Sequence, residues 1–249
     1  MSNILVLGGT TEASALAVLL AARGGDAVLS YAGRVASPRA QPIPVRVGGF
    51  GGVEGLALYL GDHGVTHLVD ATHPFAARMS ANAVLAADRA GVRHIALTRP
   101  PWSPVAGDRW THVADIEAAV TALAGPSRRV MLALGRMQVD AFAAQPQHDY
   151  LLRFVDVPDH PPGLPRHHLV VDRGPFDLDG DLRLLEAHGI EVVVCKNAGG
   201  TGAQAKLGAA RALGVPVIMI DRPALPARLE VHAAEDVLHW LDHGADLGV

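Results

Sequence analysis

Four short stretches concentrate residue types that hold anions or move protons, and each follows an apolar run. Residues 3–7 lead into Gly8, Gly9, Thr10, Thr11 and Glu12. Glycines at such a turn let backbone amides approach a phosphate, and a helix starting behind them adds a favourable dipole. The spacing departs from GxGxxG, because the glycines are adjacent and Ala13 stands where a third would be. A tight turn with Thr10 or Thr11 capping the helix describes the same residues. The run 27–31 ends in Ser30, Tyr31, Ala32, Gly33 and Arg34, and no carboxylate occurs between Asp26 and Glu54. NAD-specific folds place a carboxylate there for the ribose hydroxyls. A hydroxyl and an arginine instead suit the 2′-phosphate of NADPH, since guanidinium pairs bidentately with phosphate. The competing description of Arg34 is a solvated surface arginine.

The third stretch, Asp70, Ala71, Thr72, His73, Pro74 and Phe75, ends the run 67–71. Ligands of open α/β sheets bind outside the carboxyl ends of strands, so this cluster would border a nicotinamide or a substrate. His73 either donates a proton or caps and packs. The fourth stretch carries Lys196, Asn197, Ala198, Gly199, Gly200, Thr201 and Gly202, ahead of a helix bearing the only other lysine, Lys206. A glycine-rich turn beside a lysine would take substrate carboxylates; it is otherwise a flexible loop with a solvated lysine. Arg99, Arg136 and Arg222 also follow strands and are expected to gather positive charge at the same rim.

Thirteen histidines invite a metal reading that their spacing does not support, because neither His239 with His243 nor His167 with His168 has a third ligand. No metal is expected. There is no GxSxG elbow, and Cys195, the one cysteine, ends an apolar strand where a buried inert thiol is the default. A single thiol excludes an intramolecular disulfide or a self-held iron–sulfur cluster.

Elements that alternate along the chain must position these residues. Strands are expected at 3–7, 27–31, 44–47, 67–71, 93–98, 129–134, 150–155, 168–171, 191–195 and 216–220. Helices are expected at 12–23, 53–60, 75–90, 115–123, 182–188, 204–213 and 235–243, with a proline-rich loop at 157–165. Continuous apolar strands joined by helices imply parallel sheets covered on both faces, an α/β fold. Prolines within 98–110 break the alternation, which places a domain boundary near 100–128 and suggests domains of 1–110 and 111–249. The chain has 249 residues, 25 acidic against 21 basic and only 4% aromatic, which disfavours a nucleic-acid binder. No apolar run reaches the ~20 residues of a membrane span, so a soluble, cytoplasmic protein is expected.

The segments GGTTEA, AGR, RVGGFGG at 46–52, DATHPFA at 70–76, KNAGGTGAQAK at 196–206 and PVIMIDRP at 216–223 together resemble the precorrin-6A reductase family of cobalamin biosynthesis. The resemblance runs in order over nearly the whole chain. It implies two Rossmann-like domains and NADPH-dependent reduction of one macrocycle double bond, with hydride to C19 and a proton to C18, giving precorrin-6B. It also implies that Gly8, Gly9 and Thr10 meet the pyrophosphate and that Ser30, Gly33 and Arg34 form the 2′-phosphate side. Thr72 and His73 would then border the reaction zone, and Lys196, Asn197, Gly199 and Gly200, with Arg136 and Arg222, would face the carboxylated tetrapyrrole. Ala198 stands where serine is often expected. The implied partner is precorrin-6A, with room for transient contact with neighbouring pathway enzymes. The alternatives are another pyridine-nucleotide reductase of the dihydrodipicolinate reductase type, and a non-catalytic NADPH- or tetrapyrrole-binding protein.

Overall fold

The computed structural model describes residues 2–32 and 40–243. The chain divides into two compact units, residues 1–100 with 224–249, and residues 101–223. The first unit opens with β1 (Asn3–Leu7), α1 (Thr11–Arg23), β2 (Asp26–Tyr31), β3 (Val45–Val47), α2 (Gly52–Asp62), β4 (His67–Asp70), α3 (Ala77–Ala90) and β5 (Arg93–Leu97). Alternate side chains of β1 serve two separate cores, as a strand covered on both faces requires. Ile4 and Val6 pack with Leu16 and Leu20 of α1, whereas Leu5 and Leu7 pack with Leu56 and Leu60 of α2 and Ala83 of α3. Each fully buried leucine contributes about 1.5–3 kcal/mol relative to exposure. Thr10 caps α1 by accepting from the Ala13 N–H at 3.1 Å, and Gly24 ends it in the left-handed conformation at φ 71°.

The second unit comprises β6 (Trp110–Val113), α4 (Ile116–Ala122), β7 (Arg129–Ala133), a 3-10 helix (Val139–Ala144), β8 (Asp149–Phe154), β9 (His167–Val171), α5 (Leu178–Ala187), β10 (Val192–Lys196), α6 (Ala205–Ala212) and β11 (Val217–Ile220). Met131, Val193, Cys195 and Met219 from its central strands pack with Leu185 and Leu207 of α5 and α6. The chain then returns to the first unit as β12 (Glu230–Val231) and α7 (Ala234–Asp242).

Every strand pair in both sheets is parallel. The first sheet runs β12-β5-β4-β1-β2-β3 and the second β6-β11-β10-β7-β8-β9. Both orders read 3-2-1-4-5-6 from the far end, the doubly wound arrangement, with the sixth place filled by a strand displaced along the chain. The return of the C-terminus corrects the expected two-part division at 110/111. The physical reason is the open edge of β5, which β12 covers through the pairs Glu230↔Ala96 and Val231↔Leu97, while Val237 and Trp240 of α7 complete the α1-side core. Among the described residues no helix is long and apolar enough to cross a membrane.

Candidate active site

In each unit the strand order reverses between two central strands, β1 and β4 in the first, β7 and β10 in the second. Crevices outside the carboxyl ends of such strands receive ligands. Three of the four stretches singled out above follow these four strands.

In the first unit, the turn after β1 is shaped by close approach. The Gly8 N–H donates to the Ser30 carbonyl at 2.9 Å, and a Cβ on Gly8 would lie 2.6 Å from Leu29 Cδ1. Gly9 has φ +121°, which strains any L side chain, and nothing lies within 4 Å of where its Cβ would be. The backbone is therefore bare towards the crevice. Thr10 takes the capping role that one of the two descriptions of this turn gave it, and a second one besides. Its Oγ1 donates to the Ala71 carbonyl at 2.8 Å while capping α1, so it ties the β1 turn to the β4 turn.

After β4, Asp70 is buried and fully engaged. Its Oδ1 accepts from the Thr72 N–H at 3.1 Å and the Thr72 hydroxyl at 2.6 Å, and its Oδ2 accepts from Arg228 Nη1 at 2.8 Å. Arg228 also donates through Nε to Glu230 at 2.9 Å. Thr72 Oγ1 lies 3.3 Å from the Ser80 hydroxyl. His73 Nδ1 accepts from the Phe75 N–H at 3.2 Å, which leaves the proton of the neutral ring on Nε2. Arg99, expected on the cationic rim, lies 3.5 Å from Glu12 in the first turn of α1.

At the end of β2, Ser30 is buried and its Oγ accepts from Arg46 Nη1 at 2.9 Å. Gly33 and Arg34 lie outside the described residues.

In the second unit, Arg136 follows β7 and is exposed. Lys196 ends β10, half-buried. Asn197 is buried, and its amide is taken up by Trp102: the Trp102 N–H donates to Oδ1 at 2.7 Å and Nδ2 donates to the Trp102 carbonyl at 3.0 Å. Arg222 donates through Nε to the Asn197 carbonyl at 3.0 Å and through Nη2 to the Ala198 carbonyl at 3.1 Å. The Trp102 indole N–H donates to the Gly200 carbonyl at 2.8 Å, and the buried Lys206 ammonium donates to the Ala203 carbonyl and sits 4.9 Å from the Trp102 ring. Burial pushes the Lys206 amine below its ordinary value. Gly199 and Gly200 hold φ of 70° and 75°. Asn197 and Arg222, expected to contact a ligand, thus also clamp the glycine turn and the segment at Trp102. Cys195 is fully buried, as its position suggested, with burial raising its thiol pKa.

Nothing near Arg228 or Trp102 in the sequence signals their roles, because Asp70, Asn197 and Gly200 lie about 100 residues or more away, whereas Lys206 and Arg46 are visible only as a lysine on the helix behind the glycine turn and as part of a motif. A cavity of about 420 Å³ between Arg129, Asp149, His167, His168 and His188 lies at the amino ends of β7, β8 and β9, away from the crevice. Among the described residues no group of three or more His, Cys, Asp or Glu could hold a metal ion.

The family model described as precorrin-6x reductase CbiJ/CobK matches residues 3–242. A protein of Rhodobacter capsulatus named precorrin-6A reductase is 58% identical over 246 residues, covering 98% of both chains. A protein of Priestia megaterium named cobalt-precorrin-6A reductase is 31% identical over 249 residues, covering 96% of this chain and 97% of its own. A solved structure of CobK precorrin-6A reductase superposes with a TM-score of 0.93 at 58% identity, covering 98% of each chain.

Proposed function

We propose, because the chain belongs to the precorrin-6x reductase CbiJ/CobK family and keeps a bare glycine turn at the first switch point, that it reduces precorrin-6A to precorrin-6B with NADPH in the cytoplasm. The observation carrying this reading is the crevice of the first unit. Gly9 leaves space that a side chain would fill, α1 begins behind it, and no carboxylate stands at the carboxyl end of β2 among the described residues. Those features fit a dinucleotide bearing a 2′-phosphate. Gly8 and Gly9 would meet the pyrophosphate through backbone amides, and Ser30 with Arg34 would lie on the 2′-phosphate side. When bound, NADPH supplies the hydride.

The chain's own residues then orient and neutralise. Asp70 fixes the Thr72 hydroxyl, and Thr72 and His73 border the reaction zone. His73 or solvent supplies the proton to C18. Lys196, Arg136 and the amides around Gly199 and Gly200 offset the acetate and propionate charges of the macrocycle, since unpaired charges are expensive to desolvate. The metal-free substrate is favoured over its cobalt form because identity is 58% to the precorrin-6A relative and 31% to the cobalt-precorrin-6A relative.

The test is incubation of the purified protein with precorrin-6A and NADPH, followed by mass and absorbance. A product gaining two hydrogens supports the reading. Intact substrate under anaerobic conditions with NADPH in excess overturns it.

A further inference from the structure

The carboxyl end of β2 is closed by its neighbour. β2 and β3 pair in the register Ser30↔Arg46, so Arg46 stands beside the position that chooses between a ribose hydroxyl and a ribose phosphate. Its guanidinium is held by neutral groups. Nη1 donates to Ser30 Oγ and to the Gly48 carbonyl, each at 2.9 Å, and Nη2 donates to the Gly49 carbonyl at 3.3 Å. One face lies over the Phe50 ring, 3.9 Å from its centroid, with the Tyr59 ring at 5.1 Å. Phe50 and Tyr59 are themselves packed edge to face. Gly55 in α2 permits this turn, because a Cβ there would fall 1.7 Å from the Phe50 carbonyl oxygen.

Charge accounting agrees with this placement. In the same unit Arg23, Arg89, Arg99 and Arg228 each pair with a carboxylate, whereas Arg46, like Arg78 and Arg93, pairs with none among the described residues, and of these three only Arg46 stands in register with Ser30 at the end of β2. Of the five N–H donors of a guanidinium, three are engaged. A half-buried cation, immobilised with two donors unused, is pre-organised for an anion with several acceptor oxygens.

We infer that Arg46, anchored on Ser30 and stacked on Phe50, recognises the ribose 2′-phosphate and so sets the preference for NADPH over NADH. This assignment rests on the NADPH reading above, and it changes the role of Ser30 from phosphate ligand to anchor. It also supplies a cation at this position independently of Arg34.

The test titrates NADPH and NADH separately into the parent protein and into Arg46→Ala and Arg46→Lys, with thermal unfolding as a check on folding. The parent is expected to bind NADPH the more tightly. Arg46→Ala should lower that preference by about 10- to 100-fold, the range for one charged hydrogen-bonded contact, and change NADH affinity by less than about threefold, because NADH lacks the phosphomonoester. Arg46→Lys should retain part of the preference, since a point charge replaces the fork. Equal affinities in the parent would sink the NADPH reading itself. A parent that prefers NADPH, with the same preference in Arg46→Ala, would overturn the role of Arg46 alone. Parallel loss of both nucleotides with the ratio kept would make Arg46 only a prop for the turn, which also overturns it. If the alanine variant fails to fold, the ratio in the lysine variant decides: a preference identical to the parent's contradicts fork recognition.

Discussion

Asp70 and Arg228 have side chains 2% and 6% exposed, so removing either strands a charge in the interior. Arg228→Ala is expected to destabilise the protein by about 3–5 kcal/mol, and to loosen Thr72, whose hydroxyl depends on the same carboxylate. Denaturant unfolding measures the first effect; a change below about 1 kcal/mol would contradict it. His94 lies close enough to feel both charges. Its Nε2 is buried and without a hydrogen-bond partner among the described residues, and burial, outweighing the nearby Asp70 carboxylate, pushes its pKa below 6.5. The folded protein keeps this ring neutral while the unfolded chain takes up a proton below pH 6.5. Stability from this group is therefore present above that pH and lost as pH falls. Unfolding midpoints at neutral and mildly acidic pH should show the loss, and His94→Gln should make it shallower. At this scale the glycine turn and the Asp70–His73 cluster were legible in the sequence, because spacing and strand position announced them. Arg228 was not, since its partner stands 158 residues away, and neither was the use of the Asn197 amide by Trp102.

The turn between β3 and α2 exists because α2 carries glycine where a helix would ordinarily prefer alanine. Gly55→Ala gains up to about 1 kcal/mol of helix propensity. It also puts a methyl carbon 1.7 Å from the Phe50 oxygen, a backbone atom with no rotamer to escape through. The clash should win, with net destabilisation and displacement of Phe50 and Arg46, read as a lowered melting temperature and weaker NADPH binding. A variant as stable as the parent, binding NADPH equally well, would contradict the packing described. Strands buried on both faces were readable as apolar runs. Of the edge strands, β3 and β9 were expected at 44–47 and 168–171, but two were not: β6 shows only partial burial along Trp110–Val113, and β12 has two residues, so neither leaves a hydrophobic signature. α5 begins at Leu178 rather than near 182, because Asp177 caps it by accepting from the Gly180 N–H at 2.7 Å.

Across the whole molecule, parallel α/β architecture in two units was legible from the alternation of strands and helices. The crossing of the C-terminal 26 residues into the first unit was not, because pairing of β12 with β5 joins segments separated by more than 120 residues of intervening chain. That crossing carries Arg228 to Asp70, so the loop from Asp70 to Thr72 in the first unit depends on a segment 158 residues further along the chain. In the proposed reaction NADPH held by the first unit supplies the hydride that reduces precorrin-6A. The most direct test supplies precorrin-6A and NADPH deuterated at both hydrogens of nicotinamide C4, in ordinary water, and locates the label by NMR and mass. The expected product is precorrin-6B with a single deuterium at C19 and solvent hydrogen at C18. Product free of deuterium, or none formed while NADPH is bound, would contradict the account.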